Sequence, residues 1–226
     1  MTFLRIRILA LMAVLLFPAA PALAQYDQQQ VINHSSATLE RIQTDGNFAK
    51  RFPNDLAKAK AILIVPNLYK GGFLLGGQYG NGVLLAKLAD GSWSYPAFYT
   101  LSGGSFGLQL GLEDVSIVFL INTDKALHAV LANQFKFGGD MGVTFAVVGA
   151  GMGASAASNG SVDIIAISMS GVGLYGGLSL EGTMLSPRES WNANYYNQNV
   201  SSRALVLDNA ASNPDADKLR DRLTRQ

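Results

Sequence analysis

The sequence predicts an α+β fold, a curved antiparallel β-sheet or small β-barrel flanked by N-terminal, central and C-terminal helices. Three observations predict it. Gly-Gly pairs recur at Gly71, Gly103, Gly138 and Gly176, with starts 32, 35 and 38 residues apart. The residues after them alternate: Gly103, Ser105, Gly107, Gln109 and Gly111 share one strand face, and Gly104, Phe106, Leu108, Leu110 and Leu112 share the other. Helical spacing of apolar residues falls at both ends of the chain and at its centre. Glycine inside a strand is costly and marks a bend, a bulge or close approach of another group. Four such runs imply a curved sheet with one face stripped of bulk, a surface for binding or packing more than for catalysis.

The elements follow in order. Arg5 and Arg7 precede the apolar stretch Ile8 to Phe17, then Pro18, Pro21 and Ala22-Leu23-Ala24. Basic, apolar and small-residue segments in that order read as a signal peptide over 1–24, cleaved after Ala24, with one domain over 25–226. The apolar stretch is shorter than the roughly 20 residues of a membrane span. This places the mature chain in a periplasm. Over 28–47, Val31, Ser35, Thr38, Leu39 and Ile42 have helical spacing, and Phe52-Pro53 with Asn54 or Asp55 as cap opens a short turn through Lys60. Ala61 to Val65 reads as a buried strand ended by Pro66. Strands are predicted at 71–80, 82–88, 95–102, 104–111 and 114–121, with Asn81-Gly82 and Asp90-Gly91 as hairpin turns. Asn122 or Thr123 caps a helix carrying Leu127, Val130 and Leu131. Strands return at 140–148, 162–169 and 174–185, around a small-residue loop at 149–160. A polar and aromatic stretch from Pro187 leads through the apolar run Ala204 to Leu207 to a last helix, 214–225, where Asp221 precedes Arg225 by four residues.

Enzyme motifs fail on context. Gly103 to Gly107 fits G-x-S-x-G around Ser105, but strand alternation continues past it, so the strand-to-helix elbow is missing. Gly171 to Gly176 fits G-x-G-x-x-G and leads into Leu178-Ser179-Leu180-Glu181, again a strand, with no helix start to hold a pyrophosphate. His34 and His128 lie in separate helices without a carboxylate cluster at ligand spacing, so no metal site is read. With no cysteine, disulfides and thiolate sites are excluded. No catalytic residue and no cofactor are expected.

Charge narrows the partners. The 17 basic residues fall to 15 without Arg5 and Arg7, against 16 acidic ones, so bulk charge makes no case for nucleic acid. Lys50, Arg51, Lys58, Lys60 and Lys70 cluster, offset by Asp55 alone. Either they form a solvated face or they meet anionic lipid headgroups, where each basic residue contributes on the order of 1 kcal/mol. Glu181 stands among glycine and apolar residues, and Gln78 and Gln109 occupy comparable strand positions. All three are candidates to line a groove.

Ala59 to Phe73, with Ile62-Leu63-Ile64-Val65-Pro66-Asn67-Leu68-Tyr69-Lys70-Gly71-Gly72 at its centre, resembles the opening of the SYLF domain, the module also called the yeast-type actin-binding domain. The resemblance runs on through Gly76-Gly77-Gln78-Tyr79-Gly80-Asn81-Gly82, Trp93 to Tyr99, Gly104 to Gln109, Gly173 to Gly182 and Tyr195-Tyr196. It covers roughly residues 30–207. It implies a compact antiparallel β-domain with flanking helices and binding to membrane lipid through basic residues and an amphipathic N-terminal helix, here residues 28–70. The signal sequence departs from the eukaryotic pattern, and no SH3 or FYVE module is present, so actin and phosphoinositides are not expected partners in a periplasm. The expected function is lipid binding in a bacterial envelope, to anionic phospholipid or an acyl chain, with Lys58, Lys60 and Lys70 as headgroup ligands. The alternative is a structural envelope protein with no bound lipid. Homo-oligomerisation is left open.

Overall fold

The computed structural model describes residues 20–73, 75–106, 113–139, 142–149, 162–170, 173–174 and 179–225. Most of the leader read at 1–24, the strand positions Gly107 and Gln109, the small-residue loop and the Gly176-Gly177 pair lie outside them. Helix α1 (Ala20–Thr44) leads into α2 (Phe52–Lys58), then β1 (Ala61–Phe73), β2 (Leu75–Ala86), β3 (Ala97–Phe106) and β4 (Glu113–Ile121). Helix α3 (Asp124–Val130) separates these from β5 (Phe135–Lys136), β6 (Phe145–Val148), β7 (Ile164–Ser170), β8 (Gly173–Leu174) and β9 (Met184–Pro187). The chain continues through α4 (Glu189–Tyr196), α5 (Ser202–Asp208), a 3-10 turn (Pro214–Ala216) and α6 (Asp217–Thr224).

The strands form one sheet in the order β5-β9-β3-β2-β1-β4-β7-β6, with β8 on β7. Its pairings are antiparallel except β6 on β7. The sheet curls into a half-barrel. Phe137, just past edge strand β5, stacks on Phe119 of β4 at 5.4 Å and meets Phe145 of edge strand β6 edge-on at 5.5 Å. Phe135 joins them at 4.9 Å, so aromatic contact draws the two edges together and fills the concave side. The convex side carries α1: its Arg41 reaches Ser116 of β4, and its inner face buries Ile32, Ser35, Leu39 and Ile42. Both faces of β4 from Val115 to Ile121 are therefore buried. The expected α+β class with a curved sheet and flanking helices is what the chain adopts.

The boundaries differ in several places, among them 179–183, which is loop and turn where a strand was expected over 174–185. Pro66 does not end a strand, and Asn81-Gly82 does not turn one. Strand β1 runs straight through Pro66 because its register with both neighbours shifts between residues 64 and 68, a bulge that needs no ladder N–H from proline. The bulged backbone presses on β2. A Cβ at Gly80 would lie 2.6 Å from the Asn67 carbonyl oxygen, and one at Gly82 2.4 Å from that of Ile64. Only glycine admits that approach. The turn at Asp90-Gly91 is as expected, with Gly91 at φ +84°. Gly103-Gly104 sits inside continuous β3, where a Gly103 Cβ would press 3.0 Å from Thr183, whereas Gly138-Gly139 lies in a turn, with Gly138 at φ +78°.

Candidate functional site

Strand alternation on β1 and β2 builds the floor of a cleft on the convex side. Asn67 pairs with Asn81 and Tyr69 with Tyr79 across the two strands. Tyr69 and Tyr79 are 52% and 46% exposed, and they are the large hydrophobic side chains most open to solvent among the described residues. One wall is α1, whose Asp27, Gln30, Val31 and His34 fall at i, i+3, i+4 and i+7 and so share a face. The other wall is Arg188 and Trp191 at the start of α4. The cavity between them holds about 410 Å³.

Hydrogen bonds fix the walls to the floor. Asn81 Oδ1 accepts from the Tyr79 hydroxyl at 3.1 Å, the Thr100 hydroxyl at 3.0 Å and Arg188 Nη1 at 3.0 Å. His34 Nδ1 stands 3.1 Å from Asn67 Oδ1. The Arg188 guanidinium lies over the Trp191 ring at 3.6 Å, and Phe98 of β3 supports that ring edge-on at 5.8 Å. Arg188 is therefore held by neutral groups and a π-face, which orient a cation without neutralising it.

A larger cavity, about 750 Å³, opens between the end of α1, the 45–53 segment and α6. Its two arginines are already matched: Arg222 pairs with Glu40 at 2.8 Å and Arg225 with Asp221 at 3.1 Å. It offers less uncompensated charge than its size suggests.

The three lysines expected at headgroups do not share a surface. Lys58 and Lys60 are exposed, with Lys60 Nζ 3.6 Å from Asp124, but Lys70 is 2% exposed and points into the concave side beside Gln78. Period two puts Lys70 opposite in sense to exposed Tyr69, which sequence clustering alone conceals. The actual cationic neighbour of Lys60 is Lys87, whose pKa is lowered by burial and then by Lys60. Gln78 does face inward, donating to the Thr183 hydroxyl at 2.6 Å and the Ser179 carbonyl at 3.3 Å. Glu181 is exposed in the turn before Gly182 and lies against Gly138. Gln109 lies outside the described residues. Sequence reasoning missed Arg188, Asp27 and the tyrosine pair. The available signal was Arg188 one turn before Trp191; Tyr79 shares its strand parity with buried Val83 and Leu85, so alternation did not single it out.

Fold and cleft together define a class, an α+β half-barrel domain whose convex side carries a cleft lined by aromatic and charged side chains. The family model described as Ysc84, Las17-binding protein actin regulator, matches residues 102–226. Protein YSC84 of Saccharomyces cerevisiae is 32% identical over 169 residues, 74% of this chain and 36% of its own length. LAS seventeen-binding protein 3 of the same yeast is 32% identical over 170 residues, 74% and 37% of the respective lengths. SH3 domain-containing YSC84-like protein 1 of Homo sapiens is 30% identical over 153 residues, 67% and 44%. The chain belongs to the Ysc84 family, whose shared module is the SYLF domain, a family of binding and regulatory domains. It spans well under half the length of these curated relatives.

Proposed function

We propose that this chain is a lipid-binding protein of the bacterial envelope that docks on phospholipid surfaces through the convex face carrying Tyr69 and Tyr79. The exposed cross-strand tyrosine pair carries the reading. Tyrosine combines an apolar ring with a polar hydroxyl and is the side chain favoured at headgroup depth. Arg188 beside the pair supplies charge for lipid phosphate. The SYLF resemblance supports lipid as the partner, and the leader-like residues 1–24 support an extracytoplasmic compartment. An acyl chain inside the half-barrel gains no support, since Phe119, Phe135, Phe137 and Phe145 pack on the concave side. That filling favours a second reading, a structural envelope protein with no lipid. Las17 binding and actin regulation are named for the yeast relatives, and they carry to this chain only as a weaker alternative.

Vesicle flotation decides between these surfaces. The Tyr69→Ser/Tyr79→Ser double variant is expected to lose most recovery with phospholipid vesicles, while Lys58→Gln/Lys60→Gln retains most of it. The reverse pattern would move docking to the basic patch. No recovery of the wild type on any vesicle would favour the structural reading.

A further inference from the structure

We propose that the cleft over β1 and β2 seats a phosphoethanolamine headgroup, with Arg188 on the phosphate and Asp27 with the tyrosine rings on the primary ammonium. This rests on the lipid-binding reading and names the headgroup. Two opposite charges line the cleft, and among the described residues neither has an ion-pair partner. Arg188 carries five N–H donors, and among the described residues only Nη1 is engaged, by the Tyr79 hydroxyl at 3.4 Å and Asn81 at 3.0 Å. Stacking on Trp191 at 3.6 Å fixes its plane, so the remaining donors suit a phosphate, which arginine recognises by geometry as well as by charge.

Across the cleft, Asp27 is exposed and stands on the α1 face that also presents His34. A simple anion would gain Arg188 but meet Asp27. A simple cation would gain Asp27 but meet Arg188. A ligand with phosphate and ammonium on one short linker gains both. The exposed rings of Tyr69 and Tyr79 add cation–π attraction for the ammonium. A primary ammonium has three hydrogens for the carboxylate, whereas a quaternary one has none, so ethanolamine fits better than choline. The cavity of about 410 Å³ is of headgroup size and too small for a diacyl lipid, whose chains would stay in the membrane.

Flotation of the full chain on phosphatidylcholine vesicles, alone or mixed with phosphatidylethanolamine or phosphatidylglycerol, tests this. Wild type should recover best with phosphatidylethanolamine. Asp27→Asn should erase that preference while keeping binding to the others, and Arg188→Gln should lower recovery on all three. Titration with soluble phosphoethanolamine and inorganic phosphate, read by tryptophan fluorescence, should show about tenfold tighter binding of the former, the scale of one charge-assisted contact. Asp27→Asn should level the two. Thermal melting by circular dichroism checks that both variants stay folded. Equal recovery of wild type on the three vesicles, or an ethanolamine preference that survives Asp27→Asn, would overturn the headgroup assignment and leave lipid binding standing. Failure on every vesicle would overturn lipid binding itself. In that case tight soluble phosphoethanolamine would mark a free phosphoester as the ligand.

Discussion

Asp163 and Arg188 are both charged side chains held by tyrosine, threonine or amide groups, yet they end in opposite states. Asp163, 7% exposed at the start of β7, is closed. One carboxylate oxygen accepts from the Thr123 hydroxyl at 2.7 Å; the other accepts from the Thr144 amide at 2.9 Å and hydroxyl at 3.0 Å and lies 2.9 Å from Lys125 Nζ. It ties the cap of α3, the segment before β6 and β7 into one knot. Arg188 is open: its partners are neutral, and a cavity lies in front of it. A charge whose partners are complete serves the fold. A charge that is oriented but not neutralised is available to a ligand. The contrast is testable because the two should respond oppositely in stability and in binding.

The largest effect belongs to the closed site. Asp163→Ala removes four contacts to an ionised group and takes from Thr123, Thr144 and Lys125 the carboxylate they share, although Lys125 keeps the Gly142 carbonyl at 3.2 Å. A loss of roughly 3 kcal/mol is expected, since single hydrogen bonds to charged groups contribute about 1.5–3 kcal/mol and are not additive. Urea denaturation measures it, and vesicle recovery of the folded fraction should be unchanged. A loss below about 1 kcal/mol would break the comparison.

Acid gives the next effect at the same residue. Burial would raise the Asp163 carboxyl, but hydrogen bonds from Thr123, Thr144 and Lys125 outweigh it and hold it well below the usual carboxylate range. The folded chain therefore binds this proton less readily than the unfolded chain. The stability it contributes is complete above the ordinary aspartate pKa of about 3.9 and is lost as pH falls below that toward the depressed folded value. Wild type should lose stability between about pH 5 and pH 2 more steeply than Asp163→Asn. Parallel curves would show that the carboxylate is not the responding group.

A third state sharpens the contrast. Gln28 on α1 is fully buried, and among the described residues neither its Oε1 nor its Nε2 has a hydrogen-bond partner. It is neither closed nor open to a ligand. Gln28→Leu, similar in size and without polar atoms, should stabilise by about 1–2 kcal/mol, since an unsatisfied buried group costs about 1–3 kcal/mol. A destabilised variant would reveal a polar role for that side chain.

Much of the fold was legible, because periodicity and capping are local. Thr123 caps α3 as expected, accepting from the Ala126 amide at 3.2 Å, and the Asp221–Arg225 pair forms at 3.1 Å. Helix α5 was legible but passed over: Ser201 caps it, and Asn209 ends it in the left-handed conformation. Pro66 read as a strand end because proline marks either an end or a bulge, and the glycines that tell the two apart stand on the neighbouring strand. The cleft was not legible for a related reason. Its walls come from residues 27–34 and 188–191, which only the packing of α1 and α4 on one sheet face brings together.

The smallest stability effect is the most informative one. Arg188→Gln removes a half-buried cation whose bonds to Tyr79 and Asn81 are to neutral acceptors and whose ring contact is with a single indole. Asn81 keeps two other donors, Tyr79 and Thr100, so no buried acceptor is stranded. Glutamine can still donate one hydrogen bond toward Asn81. The change in stability should stay within about 0.5–1 kcal/mol, the net value of one ordinary hydrogen bond or exposed cation–π contact. Equilibrium urea denaturation of wild type and Arg188→Gln side by side reads this. If Arg188 instead served the fold as Asp163 does, the loss would approach that of Asp163→Ala, and any fall in vesicle recovery would follow from unfolding. A near-neutral melt together with lost recovery separates the two roles, because only a side chain oriented for a ligand can be removed at so little cost to the fold and so much to binding.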